Sequence, residues 1–395
     1  MVVPLGSPQP VFALPPIDVI PDGEEDKPIE GLALGEIGPM RLPEIVFGAA
    51  TFSNTYNSDS TIASDIPVRT VRLALRYGIN AFDTSPYYGP SEIVLGTALK
   101  VLELEYPRSS YKLMTKCGRY GFNQSEFDYS PATIRASVKR SLERLHTDYL
   151  DTVYLHDVEF VCTPVGPSSG NHLAALSDKR AEYGLAEGQE GKIWGTGDET
   201  ILDAVAELRK LQDEGVVKHI GISGYPLPTL LRLALLVLHT PPFKPLDVLL
   251  SYSHSNLQNC TITEFAEQFR GRAKIPQLLT ASPLNMGLLT PKCPPWHPAT
   301  SKMREAAQLA LELCEKEQWE GGLPNLAVGY GFRKGGELGL PVVVGLSNPR
   351  EVHESVRAWR EIKGGKDTEK RVALEQKVTA LFGDLNQHGW SWASP

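Results

Sequence analysis

Eight apolar runs, each followed by a helical segment, predict a (β/α)8 barrel for this 395-residue chain. The runs are apolar throughout rather than alternating, as strands covered on both faces of a parallel sheet must be. A doubly wound sheet is the other fold built from such units. It opens with a glycine-rich turn after its first strand, and "FGAATFSN" is not G-x-G-x-x-G.

Residues 1–42 are rich in Pro, Gly, Asp and Glu without periodicity. They read as an N-terminal extension to a barrel domain over 43–395. "EIVFGAA" (44–50) is the first strand, and "IPVRTVRLALRYG" (66–78) is a helix with a glycine stop. "INAFDT" (79–84) is the second strand, followed by a helix over 91–105 with Ser91 as cap after Pro90. "YKLMTKC" (111–117) is the third. Its helix spans 130–147, with Ser130 as N-cap, Pro131 at the first position and Ile134, Val138, Leu142 and Leu145 on one face. "YLDTVYLH" (149–156) is the fourth, and an insertion rich in Gly, Ser and charge follows over 157–198. A loop of this length is uncommon without a task, so it reads as a lid or substrate wall on the face where the fourth strand ends. Helix–strand pairs resume with a helix over 199–215, strand 216–223, helix 227–239, strand 246–253, helix 263–272 and strand 275–282. A helical stretch around 301–318, the strand "PVVVG" (341–345) and a helix over 350–362 complete the series.

In such a barrel, chemistry gathers where the strands end. Asp83 closes the second strand, Lys116 the third, His156 the fourth and Ser223 the fifth, and Tyr88 stands five residues past Asp83. A free phenol has a pKa of about 10. An ammonium held against it favours phenolate and lowers that value, and Asp83 paired with Lys116 would keep the lysine charged and aimed. His156 would hydrogen-bond a substrate oxygen. The set would donate a proton to a carbonyl oxygen as hydride arrives, or take one from a hydroxyl as hydride leaves, with no metal. Each residue also has a plainer reading: a turn aspartate, a surface tyrosine, a solvated lysine, a satisfied core histidine. Their order at successive strand ends is what argues for a site. Lys116 could instead be the nucleophile of a Schiff-base aldolase. That needs a depressed pKa, which a neighbouring Asp83 opposes.

A formal charge of −8 without a basic patch argues against nucleic acid, and no apolar run is long enough for a bilayer. The N-terminus "MVVPLGSPQPVFALPP" lacks the basic start of a signal peptide. The five cysteines are scattered and form no zinc or C-x-x-C spacing, so reduced thiols in the cytoplasm are expected. The histidines show no metal-ligating pattern.

"FDTSPYYGPSE" with the "LG" that follows resembles the aldo-keto reductase signature D-T-x-x-x-Y-G-x-x-E-x-x-L-G. The resemblance extends through "LMTK", "YLDTVYLHD", "GISGYP", "ASPLNMGLLT" and "VVVGLSNPREVHES", from about residue 45 to 360. It implies Asp83, Tyr88, Lys116 and His156 as the catalytic four, leaves Tyr87 as a wall residue, and implies an extended nicotinamide cofactor across the barrel mouth. The cofactor side would comprise Thr51 after the first strand and Ser223, Gly224 and Tyr252 at the fifth and sixth. Ser282, Leu284 and Gly287 would follow the seventh, and Gly345, Ser347, Asn348, Glu351, Glu354 and Ser355 the eighth. Ser347 and Glu351 stand where relatives that prefer NADP place Lys and Arg, with Arg350 adjacent, so NAD is expected over NADP. Ala281 replaces an aromatic that many relatives stack on nicotinamide, and the sixth strand lacks their Gln. "DTSPYYG", "GISGYPL" and "ASPLNMGLLT" resemble most the branch that oxidises the anomeric hydroxyl of D-arabinose- or L-galactose-type aldoses to lactones. The resemblance implies a sugar as partner and a monomer or weak homodimer. A general aldehyde reductase and a slow-turnover nicotinamide-binding regulatory module are the alternatives.

Overall fold

The computed structural model describes residue 5 and residues 11–392, and its central feature is a closed barrel of eight strands. These are β1 Ile45–Gly48, β2 Ala81–Asp83, β3 Lys112–Cys117, β4 Leu150–His156, β5 Val217–Gly224, β6 Val248–Tyr252, β7 Gln277–Ala281 and β8 Val342–Gly345. Each pairs in parallel with the next, and β8 closes on β1. Helices α1 Ile66–Arg76, α2 Ser91–Val101, α3 Pro131–Arg144, α4 Thr196–Asp213, α5 Leu227–Leu238 and α6 Ile262–Gly271 follow the first six strands in turn. Two helices, α7 Ser301–Lys316 and α8 Gly322–Leu338, follow β7. After β8 come α9 Pro349–Lys363 and α10 Thr368–Asp384.

The continuous apolar runs have a simple cause. Successive strand residues point to opposite faces, and here both faces are buried. Phe47, Phe82, Leu113, Val153, Ile222 and Leu249 pack outward against the helices, while Val46, Ala81, Met114, Tyr154, Leu250 and Val343 fill the interior. Two residues further along, on that inward face, stand Asp83, Lys116 and His156. The register staggers them: Asp83 lies opposite Met114, Lys116 opposite Tyr154 and His156 opposite Ser223. That stagger is the tilt a barrel needs to close.

Residues 36–43 form a short hairpin, Glu36–Ile37 with Leu42–Pro43, whose Met40 and Leu42 close the opposite end of the interior. The segment before it is pinned to α1 and α9. Asp26, fully buried, takes Arg69 Nε at 2.8 Å, Tyr77 Oη accepts from Ile29 N at 2.8 Å, and Arg360 donates to the carbonyls of Ile29, Glu30 and Leu32.

Some elements differ from the sequence expectation. Ser91 is the first residue of α2 rather than its cap; its Oγ donates to Ala49 O at 2.6 Å, tying the helix to the loop after β1. The stretch around 301–318 yields α7, but the helix against β8 is α8, hidden in "GLPNLAVGYGFRKGGEL". Its glycines carry low helix propensity, yet contact demands them. A Cβ on Gly335 would stand 2.7 Å from Leu340 O, and one on Gly331 would stand 2.7 Å from Pro283 Cβ. Packing overrides propensity there.

The insertion is anchored at several points. Asp198, in the first turn of α4, accepts from Thr163 N and Trp194 N and takes both ends of the buried Arg232 guanidinium at 2.7 and 3.0 Å. Gly170–Asn171 of the insertion pairs with Trp390–Ser391 near the C-terminus, and Trp392 stacks on Tyr225 at 4.4 Å. Three buried histidines surround this junction. His254 shares a hydrogen bond with Ser391 Oγ at 3.2 Å, His297 meets Trp392 edge-on at 5.1 Å, and His172 meets Tyr183 edge-on at 5.9 Å. Burial lowers their pKa values, to about 4 for His172 and His297 and about 3 for His254. An unfolded chain binds those protons from pH 6.5 downward, and the folded one does not. Stability is therefore complete above pH 6.5 and falls as pH drops toward 4. The loss is roughly 1.4 kcal/mol per pH unit for each histidine. Urea midpoints at pH 7.5 and 5.0 check this, and equal midpoints would refute it.

Candidate active site

After Asp83 the chain turns back over the mouth before entering α2. This brings Tyr88 over the end of β3. Lys116 Nζ donates to Asp83 Oδ1 at 2.5 Å and to Thr84 O at 3.0 Å, and lies 4.7 Å from the centroid of the Tyr88 ring. The Tyr88 ring meets the His156 imidazole edge-on, with centroids 5.6 Å apart. The four residues proposed from sequence thus gather around one point at the C-terminal end of the barrel. Asp83, Lys116 and His156 are buried and Tyr88 is half-buried.

His156 is oriented on both sides. Its Nδ1 lies 2.9 Å from Ser85 Oγ, and Ser85 Oγ also accepts from Tyr87 N at 3.1 Å. A Ser85 hydroxyl that donates to Nδ1 leaves the ring proton on Nε2, the nitrogen 3.5 Å from Asp157 Oδ2. Tyr129 Oη donates to the His156 carbonyl at 2.6 Å, fixing the end of β4.

Burial pushes the Tyr88 phenol above its ordinary pKa, and the Lys116 ammonium pulls it back only in part. The sequence reading expected the lysine to win. Desolvation outweighs it, so the phenol stays protonated near neutral pH. Burial also disfavours the charge on Lys116, but Asp83 and Tyr88 together hold its pKa above the ordinary value. Burial raises Asp83, against the lysine. His156 is driven well below 6.5, first by burial and then by Lys116 and Arg119, so its imidazole is neutral. A protonated phenol, a fixed ammonium and a neutral imidazole can together polarise a carbonyl oxygen and deliver a proton to it. A lysine held charged is a poor Schiff-base nucleophile.

Among the cofactor-side positions, Ser223 and Gly224 end β5, Tyr252 ends β6 and Gly345 ends β8. Thr51, Ser282, Leu284 and Gly287 follow β1 and β7. Thr51 Oγ1 donates to Leu346 O at 2.8 Å and so ties the loops after β1 and β8. Ser223 Oγ donates to Leu155 O at 3.3 Å. Gly224 has a packing reason of its own: a Cβ there would stand 2.3 Å from Glu159 Oε2. At the start of α9, Asn348 is the N-cap and its Oδ1 accepts from Glu351 N. The Glu351 carboxylate folds back to accept from Ser347 N at 2.7 Å and Asn348 Nδ2 at 3.1 Å. Glu354 makes an exposed ion pair with Arg350 at 3.7 Å, and Ser355 is buried on the inward face of α9 with Val352, Val356 and Trp359. Glu354 thus lies on the solvent side of α9 and Ser355 on its packed side.

Sequence reasoning did not select Ser85, Arg119 or Asp157. Arg119 is ion-paired with Asp157, donates to Tyr87 Oη at 3.0 Å and covers the Tyr87 ring at 3.8 Å. Tyr87 is thereby held at the mouth, its ring 5.6 Å from the His156 imidazole, with its phenol pushed by burial to about 12. The signal for Asp157 was present, a second acid directly after His156. That for Arg119, three residues past Lys116, shows only once the β3 loop is seen to fold over the mouth. Among the described residues no cluster of His, Cys, Asp or Glu is arranged to hold a metal ion, and no helix is long and apolar enough to cross a membrane.

Residues 44–369 match the Aldo/keto reductase family. The chain is 36% identical to D-arabinose 1-dehydrogenase of Saccharomyces cerevisiae over 369 residues, which covers 91% of this chain and 97% of that protein. It is 34% identical to L-galactose dehydrogenase of Arabidopsis thaliana over 351 residues, covering 88% and 93%. Among solved structures, an aldo-keto reductase of Bacillus halodurans shares the fold with a TM-score of 0.58 at 21% identity, covering 88% of this chain and 96% of that one. Barrel, gathered residues and similarity agree: the chain belongs to the Aldo/keto reductase family, whose members are oxidoreductases that use a nicotinamide cofactor.

Proposed function

We propose that this chain oxidises the anomeric hydroxyl of an aldose, of the D-arabinose or L-galactose type, to the aldonolactone, with NAD as hydride acceptor. One arrangement carries the reading: Lys116 held between Asp83 and the Tyr88 ring, beside a neutral His156. In it, Tyr88 exchanges the proton of the sugar oxygen. Lys116 steadies the phenolate, Asp83 keeps Lys116 charged and in place, and His156 Nε2 hydrogen-bonds the same oxygen. The names of the two relatives, an arabinose and a galactose dehydrogenase, support the substrate class.

NAD rather than NADP rests on the N-terminus of α9. Its amides would suit an anion, but the Glu351 carboxylate already takes the Ser347 N–H. A ribose hydroxyl can donate to that carboxylate, whereas a 2′-phosphate would meet its charge. Thr51, Ser223, Tyr252 and Ser282 are the further groups proposed to hold the cofactor, which supplies the hydride acceptor when bound. Glu351→Gln is expected to lower the ratio of kcat/KM with NAD to that with NADP by about tenfold, a change worth about 1.4 kcal/mol. An unchanged ratio would remove Glu351 from this role.

The proton balance sets a pH dependence. Oxidation needs phenolate, and the phenol is raised, so sugar oxidation should climb steadily from pH 7 toward 10. His156 is neutral throughout that span and should add no inflection. The deciding experiment is initial rates with NAD and NADP against D-arabinose, L-galactose, L-fucose and a simple aldehyde. Turnover of the aldehyde alone would replace this reading with a general carbonyl reductase.

A further inference from the structure

Asp157 follows His156 directly and is 2% exposed. It is held in the left-handed backbone region, φ 56° and ψ 60°, which a residue other than glycine adopts at a cost. Its Oδ2 is taken by the Arg119 guanidinium and lies 3.5 Å from His156 Nε2. Its Oδ1 is buried with no hydrogen-bond partner. Tyr87 lies under Arg119, with Oη 3.0 Å from Nη2. A buried carboxylate oxygen left without a donor is costly. A chain that keeps one in a strained conformation, one residue from the imidazole at the mouth, presents an acceptor waiting for a donor.

We propose that Asp157, fixed by Arg119, is a substrate-binding residue that accepts a hydrogen bond from the hydroxyl on the carbon next to the reacting one. It would thereby select polyhydroxylated substrates over plain aldehydes. This rests on the reading that Tyr88 and His156 engage the substrate's reacting oxygen. Asp157 Oδ2, 3.5 Å from His156 Nε2, sets the carboxylate beside the imidazole that is to hold the reacting oxygen, and so on the side where the neighbouring hydroxyl would lie. The acceptor must be ionised for such a bond to be strong. Burial raises the Asp157 carboxyl above its ordinary value, and the Arg119 guanidinium, which favours ionisation, pulls it back only in part. Arg119 is itself flanked by the rings of Tyr87, Phe127 and Phe160, which hold the guanidinium against Asp157. A site built to hydrogen-bond a hydroxyl penalises a ligand that lacks one, because its own polar group stays unpaired.

The test compares matched substrates. Reduction of glyceraldehyde and of propanal by NADH, which differ in the adjacent hydroxyl, is measured for the wild type and Asp157→Asn. Oxidation of D-arabinose and L-galactose by NAD is measured alongside. The variant is expected to lower the ratio of kcat/KM for glyceraldehyde to that for propanal by about 30-fold, mostly through KM. Equal losses for both aldehydes would overturn the proposal and make Asp157 a positioning residue acting through His156. Because the single variant leaves the Arg119 charge buried and alone, Arg119→Gln/Asp157→Asn is made as well. It leaves no unpaired charge, and the same fall in ratio is expected. A wild-type ratio near one would also overturn the proposal. A wild type that reduces both aldehydes but oxidises no aldose would refute the sugar dehydrogenase reading alone.

Discussion

Tyr88→Phe is expected to lower kcat for sugar oxidation by about 10³-fold, within the usual worth of a positioned acid–base group. The change removes one oxygen and keeps the ring. The ring holds the edge-on contact with His156 and a tilted one with Tyr87, and lies under the Lys116 ammonium. Packing should survive, and thermal stability should change by less than about 1 kcal/mol. Binding of NAD, followed by quenching of protein fluorescence, should be unaltered. Loss of turnover together with loss of NAD binding would mean that the mouth had collapsed. Retained turnover would take Tyr88 out of the proton transfer altogether.

Lys116→Met should act on two quantities at once. The methionine fills most of the space, but Asp83 is then a buried carboxylate that has lost its ammonium. Its Oδ2 is already without a partner. Removing one member of a buried pair costs roughly 3–5 kcal/mol. A loss of about 10²–10³ in kcat is expected too, the usual effect of deleting a preorganised electrostatic group. The two effects can be separated. Asp83→Asn/Lys116→Met removes both charges, and should recover most of the stability while leaving kcat as low as in the single variant. Recovery of activity along with stability would show that the lysine matters only as a structural partner.

Both expectations come from residues that were legible in the sequence. Asp83, Lys116 and His156 could be placed because the barrel obeys a strict rule: apolar runs end where the mouth begins, and the last inward residue of each run points into it. The parity of Ala81 with Asp83, Met114 with Lys116 and Tyr154 with His156 is written into residue spacing alone. Tyr88 lies outside any strand; it was picked out by its place five residues past Asp83, and the resemblance of its turn supports it. The eight strands were found for the same reason, since burial on both faces leaves a continuous apolar signal.

Other features were not legible. The helix Gly322–Leu338 was hidden by glycines, whose presence answers to contacts with Pro283 and Leu340, far away in sequence. The insertion looked like loop, because its order comes from Asp198 gripping Arg232 and from pairing with a strand near residue 390. The ion pair of Arg119 with Asp157 joins the ends of two neighbouring strands, and no local pattern announces it.

The sequence by itself determined the barrel, the order of its strands and the residues that reach its mouth, because burial and side-chain alternation are local, periodic constraints. Only the tertiary structure decided the protonation of the site. Whether the Tyr88 phenol rises or falls depends on how far desolvation outweighs one ammonium, and that balance exists only once the chain has closed around both. It likewise decided that the Glu351 carboxylate covers the N-terminus of α9 and that Asp157 keeps one oxygen free, since each depends on where a folded neighbour ends.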